Sequence, residues 1–222
     1  MEFPEPEPWP ERVDGAALLT EMAGLFKRHI ILPEGAEIIL PLWTLHTWCI
    51  DDVSISPILA ITSPEKRCGK TSLLSLLAKL VKRPLPTSNI TSAALFRSVD
   101  LWSPTLLVDE ADTFLRDSDE LRGIINSGHT RGGAFVVRTT GDDHEPRCFS
   151  TWGAKVVALI GLLPGTLLDR SITVAMKRKN KNEKAARLSY DIRFPTFAAS
   201  AKDGQRTTGR RWREAIRKCR ET

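Results

Sequence analysis

The pattern of apolar and polar positions divides the chain into a helical first part and a longer part with short apolar runs. Apolar residues recur at helical spacing after Asp14 up to about Ile30, and a second helical pattern extends from about Glu34 to Ile50, with Pro41 inside it. Aspartate is a residue type that caps helix N-termini, so Asp14 marks the first helix start. We therefore expect two helices here, whose apolar faces need the following domain for their burial.

From Ser56 onward, short apolar runs alternate with helical segments. Buried strands are predicted over residues 57–61, 105–108, 155–160 and 171–176. Helices are predicted over about 70–80, 91–99 and 119–127, and a hairpin over 134–139 and 147–150 around a turn at 141–142. Strands that are apolar throughout and alternate with helices argue for an α/β fold with a mostly parallel sheet, covered by helices on both faces.

Composition divides the chain into four segments. Residues 1–12 alternate proline with glutamate, which predicts an extended linker, and residues 13–55 form the helical segment. Residues 56–180 form the α/β core, because the apolar periodicity fades beyond Asn180. Residues 181–222 form a basic C-terminal tail.

The overall composition excludes several classes of protein. The 222 residues are 41% hydrophobic, which is too apolar for a chain disordered throughout. The four cysteines show no C-x-x-C pairing and indicate neither a zinc site nor a redox pair. The longest uncharged stretches, 38–50 and 156–168, are too short to span a bilayer. We expect a cytoplasmic protein with reduced thiols and no membrane partner.

The positive charge is concentrated at the C-terminal end. Residues 177–222 contain 15 Lys and Arg against 5 Asp and Glu, a net charge of +10, whereas the rest of the chain has a net charge of −5. A basic tail on a mildly acidic body points to a polyanion such as DNA or RNA as a partner. A solvated terminus without a partner is the alternative.

A phosphate-binding loop is predicted between the first buried strand and the helix that follows it. Residues 63–72 read SPEKRCGKTS, in which a G-K-T triplet opens the helix. Backbone N–H groups there would bind phosphate, Lys70 would reach the β- and γ-phosphates of ATP, and the Thr71 hydroxyl would ligate Mg²⁺. The residues assigned to the nucleotide in this loop are Lys66, Arg67, Cys68, Gly69, Lys70, Thr71 and Ser72.

The loop departs from the usual pattern at its first position. The pattern G-x-x-x-x-G-K-[ST] begins with glycine, and Pro64 stands in that place. Because the first glycine only opens the turn and the N–H donors come later, we expect phosphate binding to survive. A chance tripeptide at a helix start is the alternative reading.

Two carboxylates supply the second half of the predicted site. Asp109 and Glu110 directly follow the buried strand 105–108, at the edge where α/β sheets bind ligands. Asp109 would help to bind the nucleotide by holding Mg²⁺, and Glu110 would orient or deprotonate an attacking water. Glu110 directly after Asp109 favours a hydrolysing, motor-type ATPase over a kinase or a GTPase. A strand that simply ends in acidic residues is the alternative.

Further predicted site residues follow from similarity to the oligomeric ATPases known as AAA+ proteins. Arg170 matches, by order and spacing, the finger arginine that in those proteins completes a neighbour's catalytic site. An ion pair of Arg170 with Asp169 or Glu110 is the alternative.

A polar sensor residue usually ends the preceding strand in AAA+ proteins, and Gly161 stands there in this chain. Thr139 or Asn126 would have to take its place. Arg138 and Arg147 flank the predicted hairpin, which in ring ATPases often projects into the channel that holds a nucleic-acid strand.

Many blocks of the chain, in order, resemble one family. The blocks SPEKRCGKT, NITSAALFR, TLLVDEADTFLRD, ELRGIINSGHTRGG and LLPGTLLDRSI are similar to a bacterial and phage P-loop family known as a domain of unknown function in mobile-element and prophage proteins. The resemblance covers about residues 8–180. It implies a P-loop NTPase fold with an AAA+-like, ASCE-type core. The activity it implies is that of a DNA-acting ATPase, described as a helicase or replication ATPase.

The same resemblance implies partners, and it leaves alternatives open. The implied partners are DNA, further copies of the chain, and a primase or replicative helicase. One alternative is a nucleotide-dependent adaptor or helicase loader with slow or no hydrolysis, which Pro64 and Gly161 favour. The other is an inactive fragment of a longer replication protein.

Overall fold

The computed structural model of the protein describes Phe3 and residues 13–113, 115, 118–140 and 144–188. Three predicted features lie outside these described residues. They are the linker at 1–12 apart from Phe3, the hairpin turn at 141–142, and the basic tail beyond residue 188.

A five-stranded parallel sheet forms the centre of the fold, with the spatial order β2-β3-β6-β1-β7. Its strands are β1 (Ile58–Ser63), β2 (Pro84–Thr87), β3 (Thr105–Val108), β6 (Lys155–Ile160) and β7 (Ser171–Ala175). A separate antiparallel hairpin is formed by β4 (Phe135–Thr140) and β5 (Glu145–Ser150). The parallel strands and the hairpin agree with the predicted architecture.

Six α-helices are described. They are α1 (Gly15–His29), α2 (Ala36–Trp48), α3 (Lys70–Leu77), α4 (Ser92–Trp102), α5 (Asp119–Ser127) and α6 (Gly165–Leu168). Within the described ranges, no helix combines the length and the apolar character that crossing a membrane would require.

The sheet separates two hydrophobic cores because successive side chains of a strand point to opposite faces. On β1, Leu59 and Ile61 belong to the core that also contains residues of α1, α2 and α3. Ile58 and Ala60 belong to the other core, which contains residues of α4, α5 and α6. The prediction of an α/β fold with a parallel sheet covered on both faces is therefore confirmed.

The first two helices pack on the sheet and share its core. Asp14 caps α1 as predicted, because its side chain accepts a hydrogen bond from the backbone N–H of Ala16 at 2.9 Å. The indole N–H of Trp43 donates to the carbonyl of Pro57 at 3.0 Å and so fixes α2 against the start of β1. The fully buried Phe26 and Leu40 carry these helices into the same core as α3.

Strand β2 was not predicted from the sequence. It contains Pro84 and Pro86, and its residues are only partly buried, so it lacks the apolar run that indicated the other strands. Proline is tolerated there because β2 is an edge strand, paired on one side with β3.

Candidate phosphate-binding site

The predicted phosphate loop lies at the carboxyl edge of the sheet, between the end of β1 at Ser63 and the start of α3 at Lys70. Two residues of this loop have left-handed backbone conformations, Arg67 with φ 64° and Gly69 with φ 85°. Such turns direct successive backbone N–H groups toward one side and form an anion-binding concavity. Glycine adopts this conformation readily, whereas Arg67 is held in it at an energetic cost.

The N–H groups of this loop have no internal acceptors. Among the described residues, no carbonyl or side-chain oxygen accepts a hydrogen bond from the backbone N–H groups of residues 66–71. Several of them belong to the first turn of α3, where the helix dipole places partial positive charge. N–H groups at a helix N-terminus are of the kind that bind phosphate and other anions.

Lys70 lies at the same loop. Its Nζ donates to the Ser63 Oγ at 2.6 Å, and the buried Ser63 hydroxyl donates in turn to the carbonyl of Glu65 at 2.7 Å. The ammonium group is thereby held at the end of β1, on the residue that opens the loop. An anion bound by the loop N–H groups would have this charge beside it.

Thr71 and Asp109 are brought into direct contact, although 38 positions separate them in the sequence. The Thr71 Oγ1 donates to the Asp109 Oδ2 at 2.9 Å, and the backbone N–H of Glu110 donates to the Asp109 Oδ1 at 2.9 Å. A hydroxyl and a carboxylate at this spacing, on a solvent-accessible rim, are oxygen ligands of the kind that Mg²⁺ prefers.

Within the described residues, no group of three or more His, Cys, Asp or Glu side chains converges on one point. A divalent ion at this edge would therefore use Thr71 and Asp109, which fit Mg²⁺ in its usual mode of binding with few protein ligands and several waters.

Glu110 lies on the exposed rim next to Asp109, with a left-handed backbone conformation of φ 53°. A non-glycine residue in this region costs on the order of 1–3 kcal/mol, and such residues concentrate at functional sites. Glu110 directly follows the Asp109 carboxylate, to which its backbone N–H donates. The next residues form a short 3-10 helix at Ala111–Thr113.

A cleft of about 860 Å³ opens beside the Thr71–Asp109 pair, between α3 and β2. Ser72 lies on its wall, together with Ser75 and Lys79 of the same helix. The loop after β2, which includes Ser88 and Asn89, forms the opposite wall. Ser72 therefore faces a space adjoining the predicted metal position, whereas Lys70 and Glu110 do not line the cleft.

The remaining loop residues divide into exposed cations and a buried thiol. Lys66 and Arg67 are exposed. Cys68 is buried in the core shared with α1–α3, and its Sγ contacts the Lys66 carbonyl at 3.8 Å, so only its backbone is available to a phosphate. Glu65 pairs with Arg178, which follows β7, with 3.6 Å between the charged groups.

Arg170 lies at the opposite edge of the sheet from the phosphate loop. Its carbonyl accepts from the backbone N–H of Ile58 at 3.0 Å, which is the first residue of β1, whereas the loop follows the last. A strand of this length spans roughly 17–20 Å, so Arg170 cannot reach the phosphate loop of its own chain. The guanidinium donates to the carbonyl of Thr166 at 2.8 Å and contacts the Asn126 Oδ1 at 3.4 Å. Among the described residues, the Arg170 guanidinium therefore contacts Thr166 and Asn126, and no ion pair joins it to Asp169 or Glu110.

The prediction that Asn126 substitutes for a sensor in its own site is wrong. Asn126 lies with Arg170 at the far edge, where its Nδ2 donates to the Thr166 Oγ1 at 3.3 Å, because α5 runs toward that edge. Gly161 does lie beside the phosphate loop: its N–H donates to the carbonyl of Ser63 at 2.9 Å, and its φ is 91°. Thr139 is part of the hairpin, paired with Pro146.

The two hairpin arginines contact the body of the protein. Arg138 donates to the Glu120 Oε1 at 2.8 Å and lies over the Phe96 ring at 5.6 Å. Arg147 forms an ion pair with Asp100 at 3.7 Å. Both side chains thus hold the hairpin against α4 and α5, so the idea that they extend toward a nucleic-acid strand has no support from their contacts.

Sequence reasoning missed two residues that build the site. The Ser63 hydroxyl holds Lys70, and Asp112 accepts a hydrogen bond from the backbone N–H of Ile160 at 3.1 Å, which ties the end of β6 to the acidic segment. Ser63 is the last residue of a buried strand before the G-K-T loop, and that position could have indicated its role. For Asp112 the signal was the third acid of the run Asp109-Glu110-Ala111-Asp112.

Comparison with protein-family models gives no match for this chain, and comparison with curated proteins gives no significant match either. The resemblance to the P-loop family therefore stays a prediction. The mixed α/β fold and the contact between Thr71 and Asp109 are observed in the structure and do not depend on that resemblance.

Proposed function

We propose that this chain is a Mg²⁺-dependent ATPase with an AAA+-like P-loop core, which acts on DNA during replication of a phage or mobile element. The single observation that carries the nucleotide site is the 2.9 Å hydrogen bond between Thr71 and Asp109, beside loop N–H groups for which the described part of the chain provides no acceptor. A phosphate-binding loop and a metal-binding carboxylate must meet in this way, and nothing in the local sequence of either segment requires their contact.

Each residue of the site has a definite task in this proposal. The backbone N–H groups of residues 66–71 bind the phosphate oxygens, and Lys70 neutralises the charge on the β- and γ-phosphates. Thr71 and Asp109 would hold Mg²⁺, which would offset the negative charge of the phosphates. Glu110 orients the attacking water and accepts its proton.

The strand order supports the placement of these groups. Strand β6 lies between β1, which precedes the phosphate loop, and β3, which precedes Asp109. This agrees with the ASCE-type core that the resemblance implies. The helix after β1 covers one face of the sheet, while those after β3 and β6 cover the other. Such a change of side opens a crevice at the carboxyl edge, where α/β folds bind ligands.

Arg170 supports an assembly of several copies. Because it lies at the edge remote from its own phosphate loop, it can complete a catalytic site only in a neighbouring chain. A head-to-tail arrangement places the far edge of one copy against the carboxyl edge of the next and generates a ring or filament. The partly exposed guanidinium is available for such a contact.

The DNA-binding part of the proposal rests on charge. The segment that follows β7 exposes Lys177, Arg178, Lys179, Lys181 and Lys184, and it continues into the basic tail. Cations in such numbers attract the phosphate backbone of nucleic acids with an affinity that falls steeply with salt.

The test is steady-state ATP hydrolysis, with and without single-stranded DNA, for the wild type and Glu110→Gln. The wild type should hydrolyse ATP faster with DNA. Glu110→Gln should lose turnover by on the order of 100-fold or more and keep its nucleotide affinity, because the amide cannot accept the proton. Glu34→Gln, at an exposed position between α1 and α2, is the matched control and should behave as the wild type. Unchanged turnover in Glu110→Gln would contradict the role of this carboxylate.

A second candidate is a nucleotide-dependent adaptor or helicase loader that hydrolyses slowly or not at all. It is favoured by Gly161, because the residue beside the phosphate loop that would sense the γ-phosphate has no side chain. Tight binding of Mg·ATP without turnover under any condition, with Glu110→Gln indistinguishable from the wild type, would select this candidate over the ATPase.

A further inference from the structure

A buried lysine lies below Arg170, at the edge of the sheet remote from the phosphate loop. Lys155 is the first residue of β6, and only 2% of it is exposed. Its Nζ donates to the carbonyls of Thr151 at 2.8 Å and Gly153 at 3.0 Å and contacts that of Gly128 at 3.4 Å. A buried cation needs such ligands, because leaving its charge unsolvated is expensive.

These contacts join two segments that are distant in the sequence. Thr151 and Gly153 belong to the connection between β5 and β6, whereas Gly128 ends α5. A second link runs in parallel, because the hydroxyls of Ser127 and Thr151 are 2.9 Å apart. The turn that ends α5 is therefore clamped to the β5–β6 connection from two sides.

The turn at Gly128 is closely packed against Lys155 and Thr151. A Cβ atom added to Gly128 would lie 2.0 Å from the Lys155 Nζ and 2.2 Å from the Thr151 carbonyl oxygen. Gly128 has an ordinary backbone conformation, with φ −79°, so the close approach of the Thr151 carbonyl and of Lys155 is what requires glycine here.

The clamped turn begins at Asn126, which holds Arg170. The N–H groups of Gly128 and His129 both point to the Asn126 carbonyl, the latter at 3.3 Å, and the Asn126 side chain contacts the Arg170 guanidinium at 3.4 Å. The Asn126 amide also donates to the Thr166 Oγ1. Arg170 is thus held by the Thr166 carbonyl at 2.8 Å and by Asn126, and the turn that Lys155 fixes directly follows Asn126 at the end of α5.

We propose that Lys155 is a positioning residue, which fixes Asn126 and through it aims Arg170 at the nucleotide of a neighbouring chain. This inference rests on the proposed function, because it presumes that Arg170 acts across a subunit boundary. Misplacement of a catalytic group by about 1 Å can cost on the order of 100-fold in rate. A change at Lys155 therefore acts on the neighbour's turnover and spares nucleotide binding in its own chain.

The experiment uses mixtures of two full-length variants. Arg170→Ala keeps its phosphate loop and lacks the arginine, whereas Lys70→Ala lacks the loop lysine and still supplies Arg170. Mixing the two should restore turnover in sites that combine one chain's loop with the other chain's arginine. The donor chain is then made as Lys70→Ala/Lys155→Met and compared with Lys70→Ala/Lys27→Met, since Lys27 is an exposed lysine of α1.

We expect the control donor to restore turnover and the Lys155→Met donor to restore at least about 10-fold less. In an otherwise wild-type chain, Lys155→Met should lower turnover and leave the dissociation constant for Mg·ATP unchanged. Equal restoration by both donors would overturn the role of Lys155 and leave the proposed function intact. No restoration by the control donor would overturn the action of Arg170 in a neighbouring chain, and the inference would fall with it.

A second donor guards against a folding defect in Lys155→Met. Asn126→Ala in the Lys70→Ala background leaves the contacts of Lys155 in place and removes the side-chain contacts of Asn126 to Arg170 and Thr166. Circular dichroism establishes that this donor is folded. The same loss of restoration is expected, and full restoration by the folded Asn126→Ala donor would overturn the path from Lys155 to Arg170.

Discussion

Replacing Gly128 by alanine tests the packing around Lys155 with the smallest possible change. The added Cβ would lie 2.0 Å from the Lys155 Nζ and 2.2 Å from the Thr151 carbonyl oxygen, both far below contact distance. The backbone conformation of Gly128, with φ −79°, suits alanine, so conformational strain contributes nothing. The lysine or the turn must move.

The magnitude follows from the contacts that are lost. A hydrogen bond to a charged group contributes about 1.5–3 kcal/mol, and the buried Lys155, when protonated, makes three such contacts. Alanine recovers about 0.4–1 kcal/mol through the unfolded chain. Loss of two of the three contacts therefore predicts destabilisation by about 2–6 kcal/mol. In a protein of this size, each kcal/mol lowers the melting temperature by roughly 2–4 °C.

The assay is chemical unfolding followed by circular dichroism, with Gly123→Ala as the matched control. Gly123 is an exposed residue in the middle of the same helix, and a Cβ there would meet nothing within 4 Å. Gly123→Ala should stabilise the protein by about 0.5–1 kcal/mol, because alanine is the better helix former. A Gly128→Ala variant as stable as the wild type would refute the close packing of this turn against the Thr151 carbonyl and Lys155.

The other predictions concern metal binding, pH and helix capping. Asp109→Asn should weaken Mg²⁺-dependent nucleotide binding about 10-fold by removing one charged ligand, whereas the exposed Asp169→Asn should not. Desolvation lowers the pKa of Lys155 from 10.5 to about 7, so the unfolded chain binds the extra proton between these values. The free energy of unfolding of the wild type should therefore rise, relative to Lys155→Met, by at most about 1.4 kcal/mol per pH unit between about pH 7 and 10.5; parallel curves from pH-dependent urea unfolding would contradict this. Thr91→Ala should cost about 1 kcal/mol through loss of the α4 cap, and Thr20→Ala, inside α1, should not; urea midpoints measure both.

Much of the fold could be predicted because its signals are local. Strand β3 and helix α5 occupy the predicted residues, since a short apolar run and a helical pattern identify them. Strand β2 escaped prediction because its pairing with β3, and not its own sequence, makes it a strand. Pro84 and Pro86 would argue against a strand at any position other than an edge.

In the candidate site, too, some residues could be predicted from local sequence signals and others could not. The loop glycine and Lys70 follow from a local motif, and Asp109 follows from the order of strands. Asn126 lies beside Arg170, at the edge remote from the phosphate loop. Predicting this position would require knowing in which direction α5 runs across the sheet, and the sequence pattern does not give that direction. Lys155 was expected only as the start of a buried strand, and its three carbonyl contacts arise from chain segments that meet only in the folded protein.

The central claim is that the loop at residues 63–72 binds Mg·ATP, and equilibrium binding of a fluorescent ATP analogue tests it most directly. The wild type should bind the analogue more tightly with Mg²⁺ than without it. Lys70→Ala should weaken binding at least about 10-fold, because a charged contact to phosphate is lost, while Lys27→Ala on α1 should bind as the wild type does. No binding to the wild type, or equal binding to Lys70→Ala, would contradict the account.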